Sequence, residues 1–253
     1  MRIAVITGAS SGIGESFALA LDREKDFDEV WLIARREEKL KALGARLRNR
    51  ARILPLDLSE ESGLKQYSDI LNATGPEICV LVNAAGCGFF GPFREGKLEA
   101  LLGSIRLNSE ALTAMCSISL PYMKSGDEII NIGSNSAWQP VPIQAVYGAS
   151  KSFVLSFSRA LGRELKKDGI GVMCVCPGWI KTEFQGIAEH DRYIKYVDRW
   201  YTPEQVADKA IKDLKKHRAV SILGFPVRSQ VRLVKFLPVK MIMNIWCRQQ
   251  GIE

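Results

Sequence analysis

Histidine is scarce in this chain: His190 and His217 are the only two in 253 residues. The six cysteines, at positions 79, 87, 116, 174, 176 and 247, include no CxxC pair. No familiar zinc pattern or disulfide framework can be built from that set, so no metal is expected, and the thiols are expected to be free in a reducing compartment. No apolar run approaches the ~18 residues that a membrane-spanning helix requires. Met1 and Arg2 lead directly into a strand-like run, without the charged leader, long apolar region and small-residue cleavage site of a secretory signal, so the cytoplasm is the expected location. Acidic residues are missing from Leu214 to Ile252, where eight basic residues stand: Lys215, Lys216, Arg218, Arg228, Arg232, Lys235, Lys240 and Arg248. The net charge of +7 is therefore local. The other 27 basic residues are matched by 28 acidic ones, which argues against a nucleic-acid partner.

A content of 47% hydrophobic and 25% charged residues suits a globular chain. At this length about 70–75% of the unfolded surface can be buried, enough for a core that needs no metal or disulfide. Short apolar runs at 3–7, 30–34, 52–56, 78–82, 128–132, 170–176 and 220–223 read as strands, several of them continuous enough to be buried on both faces. Between them, 15–23, 36–50, 60–73, 98–120, 145–167 and 203–216 have helical spacing, the last opened by Thr202 as N-cap and Pro203 at the first helical position. This alternation predicts an α/β fold: one doubly wound parallel sheet of about seven strands with helices on both faces and ligands at the carboxyl ends of the strands.

Three local patterns carry chemistry. The first is Thr7-Gly8-Ala9-Ser10-Ser11-Gly12-Ile13-Gly14, a strand-to-helix turn with GxxxGxG spacing; its glycines allow close backbone approach, and the helix that follows directs free N–H groups at an anion such as a pyrophosphate. The second is Arg35-Arg36 after the next strand, where an acidic residue would suit a ribose 2′-hydroxyl and arginine suits a 2′-phosphate. Cations at a helix start oppose its dipole, which favours a functional reason for them. The third is Tyr147-Gly148-Ala149-Ser150-Lys151, thirteen residues beyond Ser134. Tyr147 and Lys151 share one helix face, where an ammonium lowers the pKa of a phenol from its ordinary value of about 10 and makes it a usable acid/base, with Ser134 able to bond the same substrate oxygen.

These motifs, in this order, resemble the short-chain dehydrogenase/reductase family, of the NADP-preferring type. Thr7 to Gly14 matches TGxxxGxG, with Thr7, Gly8, Ser10, Ser11, Gly12, Ile13 and Gly14 at the cofactor. Asp57, followed by Leu58, matches the acidic residue near the adenine, and Asn83-Ala84-Ala85-Gly86 matches the NNAG turn with alanine at its second position. Asn108 falls at the family's helix asparagine; Ser134, Tyr147 and Lys151 complete the set; and Pro177-Gly178-Trp179-Ile180-Lys181-Thr182 resembles PGxxxT beside the nicotinamide. The resemblance implies a Rossmann-like domain, NADP(H) in preference to NAD(H), and hydride transfer between the nicotinamide and a carbonyl or secondary alcohol. Tyr147 would be the general acid/base, Ser134 would stabilise the substrate oxygen, Lys151 would tune Tyr147 and hold the ribose, and Asn108 would anchor a water linking Lys151 to solvent. On this reading residues 1–224 form the dinucleotide-binding and catalytic body and 225–253 a basic amphipathic extension of the same domain.

Phe184, Tyr193, Tyr196, Trp200 and Tyr201 fall where relatives carry a substrate lid, and an aromatic-rich lid favours an apolar or bulky substrate. Trp138, Trp179 and Phe184, with Phe89, Phe90 and Phe93, are expected at the same pocket. From Phe225 onward, Val227, Val231, Val234, Met241 and Ile245 recur at helical spacing, interrupted by Pro238. That segment is read first as packing or subunit contact, in a dimer or tetramer, and second as peripheral contact with an anionic membrane. The alternative to an enzyme is a catalytically silent NADP(H)-binding regulator or scaffold.

Overall fold

The computed structural model describes residues 1–188 and 190–252. Its strands are β1 (Arg2–Thr7), β2 (Glu29–Ile33), β3 (Ala51–Leu54), β4 (Glu77–Asn83), β5 (Glu128–Ile132), β6 (Gly171–Val175), β7 (Trp179–Ile180), β8 (Trp200–Tyr201) and β9 (Val220–Ser221). Among the described residues β7 and β8 pair only with each other; the other seven form one parallel sheet in the order β3-β2-β1-β4-β5-β6-β9. The helices are α1 (Gly12–Glu24), α2 (Glu37–Gly44), α3 (Glu61–Thr74), α4 (Leu98–Ile105), α5 (Leu112–Ser119), α6 (Ala145–Glu164), α7 (Phe184–Ile187), α8 (His190–Tyr193), α9 (Pro203–Leu214), α10 (Phe225–Leu233) and α11 (Val239–Gln250).

Ile3, Ala4, Val5 and Ile6 are all fully buried because the sheet is covered on both faces. Their alternation assigns them to two layers. Ile3 and Val5 pack with Trp31, Tyr67, Met115 and Leu155, whereas Ala4 and Ile6 pack with Phe17, Leu21, Val206 and Val227. From β1 the chain builds outward through β2 to β3, then returns to build β4, β5 and β6 on the other side. That reversal leaves a crevice beyond the carboxyl ends of β1 and β4, the place where doubly wound sheets bind ligands.

Two helices differ from expectation. The helix expected over 36–50 stops at Gly44, because the buried Asp22 carboxylate accepts the backbone N–H groups of Arg48 and Asn49, each at 2.9 Å, and draws that stretch away from helical geometry. The helix expected over 98–120 is divided by a π-helical turn, Arg106–Ala111. The N-cap at Thr202 is present as a full capping box with Gln205. No helix among the described residues is long and apolar enough to cross a membrane.

Candidate active site

β1 ends at Thr7, and Gly8 to Ser11 turn the chain back into α1. Gly8 and Gly12 have φ of +65° and +58°, in the left-handed region where a side chain is costly. Gly14 lies so close to the loop that a Cβ there would stand 2.3 Å from the Gly8 carbonyl oxygen. Ser11 begins α1 in extended conformation without a side-chain cap, so the first N–H groups of the helix remain open beside the cleft. Those groups and the helix dipole suit an anion. Thr7 does a different job: its Oγ1 accepts from the backbone N–H of Ala84 and of Ala85, each at 3.0 Å, and ties β1 to the turn after β4.

Beyond β2, Arg36 folds back over the loop. Its guanidinium donates to Ser10 Oγ at 3.0 Å and Ser11 Oγ at 2.8 Å, and pairs with Glu183 at 2.6 Å. Lys39 bonds the same carboxylate, and Lys39 with Arg36 holds the Glu183 pKa down to about 2. Arg35 faces Asp57 at 3.7 Å. Burial pushes the Asp57 carboxyl up, but the Ser59 hydroxyl and N–H and the Arg35 charge outweigh that and leave it below its ordinary value.

At the other end of the cleft, Ser134 closes β5 while Tyr147 and Lys151 stand one turn apart on α6. Lys151 Nζ donates to the Ile132 carbonyl at 2.8 Å and lies 5.8 Å from the Tyr147 ring centre. Burial dominates both groups, pushing the Tyr147 phenol up to about 12, eased by a bond with Ser134, and the Lys151 ammonium down to about 8. The expected lowering of the phenol by Lys151 is not seen: burial raises it, and only the bond with Ser134 opposes that. The π-turn presents the buried Asn108, which donates to the Cys87 carbonyl at 2.8 Å and to Ser150 Oγ at 3.0 Å, and accepts from Cys87 N–H at 3.0 Å. Ser150 Oγ in turn donates to the Tyr147 carbonyl at 2.7 Å. A Cβ on Gly86 would stand 3.0 Å from Asn108 Oδ1 and 3.5 Å from Lys151 Nζ, so glycine keeps that gap open.

Aromatic rings wall this end. Phe90 and Phe184 flank Tyr147 at centroid distances of 5.1 and 5.6 Å, and Trp179 stacks on Trp246 of α11. Trp246 Nε1 donates to the Pro142 carbonyl at 2.9 Å, which brings the C-terminal helix onto the cleft. Gln230 of α10 lines the cleft too, while Val227, Val231 and Ile242 bury the inner faces of these two helices.

The model of the short chain dehydrogenase family matches residues 2–192. The chain belongs to the short-chain dehydrogenase family. It is 30% identical to carbonyl reductase family member 4 of Xenopus laevis over 219 residues, 83% of this chain and 89% of that protein. A short-chain dehydrogenase of Sphingobium yanoikuyae, solved in complex with NADPH, superposes with a TM-score of 0.81 at 30% identity, over 93% of each chain. The bulky-bulky ketone specific alcohol dehydrogenase of Comamonas testosteroni superposes with a TM-score of 0.77 at 26% identity, over 93% of this chain and 91% of that one.

In this short-chain dehydrogenase, Gly8, Ser10 to Gly14, Arg35, Arg36, Asp57, Leu58, Ala84 and Gly86 line one cleft together with Ser134, Tyr147, Lys151 and the stretch Pro177 to Ile180, Thr182 and Phe184. Thr7, Asn83 and Asn108 stand behind it. Asn83 donates to Asn131 Oδ1 at 2.9 Å and so joins β4 to β5 rather than facing the cleft. Trp138 stands apart, its ring flanked by Arg159 at 4.5 Å and Lys235 at 4.8 Å and absent from the cleft wall. The short 3-10 helix Asn135–Trp138 keeps Asn135, Ser136 and then Gln139 on the cleft but turns the Trp138 ring to the other side. Of the expected lid rings, Phe184 lines the cleft and Tyr193, Tyr196, Trp200 and Tyr201 do not; of the other rings expected at the pocket, Phe90 and Trp179 reach it, Phe89 packs edge-on to Tyr193, and Phe93 is exposed. Sequence reasoning misses Glu183, Gln144, Gln230 and Trp246: Gln230 and Trp246 arrive by tertiary contact, while Glu183, next to Thr182, and Gln144, at the start of α6, belong to no pattern that marks them.

Proposed function

We propose that this enzyme is an NADP(H)-dependent reductase of apolar or bulky carbonyl compounds, converting them to secondary alcohols. The observation that carries the reading is one cleft with Ser10, Ser11, Arg35 and Arg36 at one end and Ser134, Tyr147 and Lys151 at the other. The open N-terminus of α1 fits a pyrophosphate, and two guanidinium groups beside two hydroxyls fit a 2′-phosphate better than a bare ribose. Bound NADPH would supply a hydride. Tyr147 donates its proton to the carbonyl oxygen while Ser134 bonds the same atom. Lys151, held by the Ile132 carbonyl, places a positive charge behind the phenol, and Asn108, fixed by Cys87 and Ser150, anchors a water that links Lys151 to solvent. The rings of Phe90, Trp179, Phe184 and Trp246 favour an apolar substrate. The named ketone specificity of the Comamonas relative agrees with that choice.

The test is NADPH and NADH consumption by the purified protein over short aldehydes, long-chain ketones and polycyclic ketones, with Tyr147→Phe as control. Turnover with NADPH, lost in the variant, is the expected result. Tight NADPH binding with no turnover of any carbonyl would instead favour a silent cofactor-binding regulator.

We further propose two surfaces for the molecule, read as a cytoplasmic oxidoreductase. Leu102 and Ile105 of α4 and Phe153 of α6 are exposed on neighbouring helices and suit self-association in a dimer or tetramer. Residues 225–253 are read as an extension of the catalytic domain, and its described part, 225–252, presents a different outer face. There, Phe225 and Leu233 accompany Arg228 and Arg232 opposite the buried Val227 and Val231, and Met241 and Ile245 accompany Arg248. Two like-charged copies would repel, so an anionic membrane surface is the better partner for this face.

A further inference from the structure

Two cysteines meet beneath the cleft, and the mechanism above uses neither. Cys174 of β6 and Cys176, just past its end, point to the same face of the sheet, and their sulfurs stand 3.7 Å apart. Both are fully buried, in the layer that holds Val154 and Leu155 of α6. Gly133 roofs the pair: it lines the cleft, and a Cβ on it would stand 2.8 Å from Cys174 Sγ and 3.3 Å from Cys176 Sγ. One glycine backbone, with no side chain, therefore stands between the sulfurs and the cleft. On its outer edge β6 pairs only with the short edge strand β9, so this end of the sheet opens at less cost than its centre. A bond from the Cys176 thiol, aided by the Lys151 ammonium, outweighs burial and holds the Cys174 thiol below its ordinary value. The same bond and burial push Cys176 well above its own. Cys174 is thus the thiolate of the pair and Cys176 keeps the proton.

We propose that Cys174 and Cys176 form a modification site, which a peroxide converts reversibly to a disulfide and which thereby displaces the cleft wall at Ser134 and Pro177. The Cys174 thiolate attacks one oxygen of hydrogen peroxide; the O–O bond breaks and hydroxide leaves, giving a sulfenic acid. The Cys176 thiol then attacks that sulfur, and its proton joins the displaced hydroxide as water. With the proton that Cys174 gave up, two thiols and one peroxide become one disulfide and two waters. Each sulfur is oxidised by one electron and each peroxide oxygen reduced by one.

Residues two apart on a strand have Cα atoms about 6.6 Å apart, twice the rise per residue. A disulfide spans roughly 4.4–6.8 Å between Cα atoms, with its sulfurs about 2.05 Å apart. The bond is within reach, provided that the chain draws in at Val175. The Val175 carbonyl accepts from Gly133 N–H at 2.8 Å, Cys176 N–H donates to the Ser221 carbonyl at 2.8 Å, and Asn135 N–H donates to the Pro177 carbonyl at 2.9 Å. Drawing in pulls on all three bonds and so shifts Ser134 and the Pro177-Gly178 step, which both line the cleft. Thiol reductants reopen the bond by exchange.

The disulfide forms whether or not the protein is a reductase, so its test reads the chain itself. Wild type and Cys176→Ala are treated with hydrogen peroxide, with and without later dithiothreitol, then alkylated and digested with trypsin. Both sulfurs fall in one tryptic peptide, residues 168–181, that holds no other cysteine. In wild type this peptide is expected at the mass of an internal disulfide, with no sulfur left to alkylate, and dithiothreitol restores the thiols. In step with it, amide hydrogen exchange quickens at Gly133, Asn135 and Cys176, and turnover of any carbonyl substrate falls about 100-fold, as a displacement of about 1 Å can cause. Cys176→Ala shows neither change relative to its own untreated form. Sulfurs that react only in urea strong enough to unfold the chain overturn the assignment, as does a disulfide that leaves amide exchange and turnover unchanged. If the disulfide forms and exchange quickens, but the reduced protein turns over no carbonyl, the site stands and the reductase reading falls.

Discussion

Arg36 and Glu183, 147 positions apart in the chain, are joined at 2.6 Å across the phosphate end of the cleft. Glu183 also engages Lys39, so a carboxylate sits on the cations that the proposed 2′-phosphate would use. Both side chains are about half exposed, and the pair therefore exchanges readily for a better anion rather than locking the site.

Arg36→Ala is expected to raise KM for NADPH about tenfold or more and to change KM for NADH much less, since a charge-assisted, forked contact to phosphate is lost. Glu183→Gln should act in the opposite sense, tightening NADPH binding a few-fold at low salt and less at high salt. Calorimetric titration of both cofactors at two ionic strengths measures this. An equal effect of either variant on NADPH and NADH would remove Arg36 from the 2′-phosphate.

What was legible in the sequence was what depends on neighbours in the chain. Gly8 and Gly12 are forced by local backbone geometry, and Tyr147 with Lys151 by helical spacing, so both patterns are visible without a fold. The inner strands β1, β2, β4, β5 and β6 announce themselves as apolar runs because each is covered on two faces. Glu183 and Trp246 are different, because nothing near them in sequence says that one will pair with Arg36 and the other will roof the cleft. Trp138 shows the converse error: its neighbours Ser136 and Gln139 line the cleft, but the 3-10 turn points its own ring between Arg159 and Lys235.

Lys151 predicts a pH dependence. Its folded pKa of about 8 lies below the unfolded 10.5, so between those values the unfolded chain holds a proton that the folded chain has released. Folding stability tied to this group therefore rises with pH across that window and is absent below it. Lys151→Met should be inactive yet more stable than wild type at neutral pH by about 2 kcal/mol, the burial cost less one hydrogen bond, with the gain shrinking toward pH 10.5. Urea unfolding of both proteins across that range tests the sign. In the same window kcat/KM for NADPH, which reports the free enzyme, should fall as pH rises through about 8.

Asn108 is held in place by the π-turn and satisfies Cys87 and Ser150 on both sides. Asn108→Leu strands these partners in a buried position, which costs about 1–3 kcal/mol. Deleting only the polar function should also slow turnover through Ser150, which bonds the Tyr147 carbonyl, and by removing the anchor of the proposed link from Lys151 to solvent. A variant that loses stability but keeps full kcat would make Asn108 purely architectural.

The C-terminal face gives a prediction at the level of the whole molecule. Phe236 is 85% exposed between α10 and α11, with Leu233 and Val239 close by in sequence, and among the described residues Arg228, Arg232 and Lys240 make no ion pair. An exposed phenylalanine set among unpaired cations is disfavoured in water and favoured at an anionic interface, where each lysine or arginine contributes about 1 kcal/mol. The protein should therefore co-sediment with phosphatidylcholine vesicles that contain phosphatidylserine and not with phosphatidylcholine alone. Leu233→Ser with Phe236→Ser, both on the surface and away from the cleft, should weaken that binding about tenfold, and Arg228→Gln with Arg232→Gln should remove its salt dependence. If the serine variant instead lowers the oligomeric state by light scattering and leaves vesicle binding unchanged, the face belongs to a second copy of the chain.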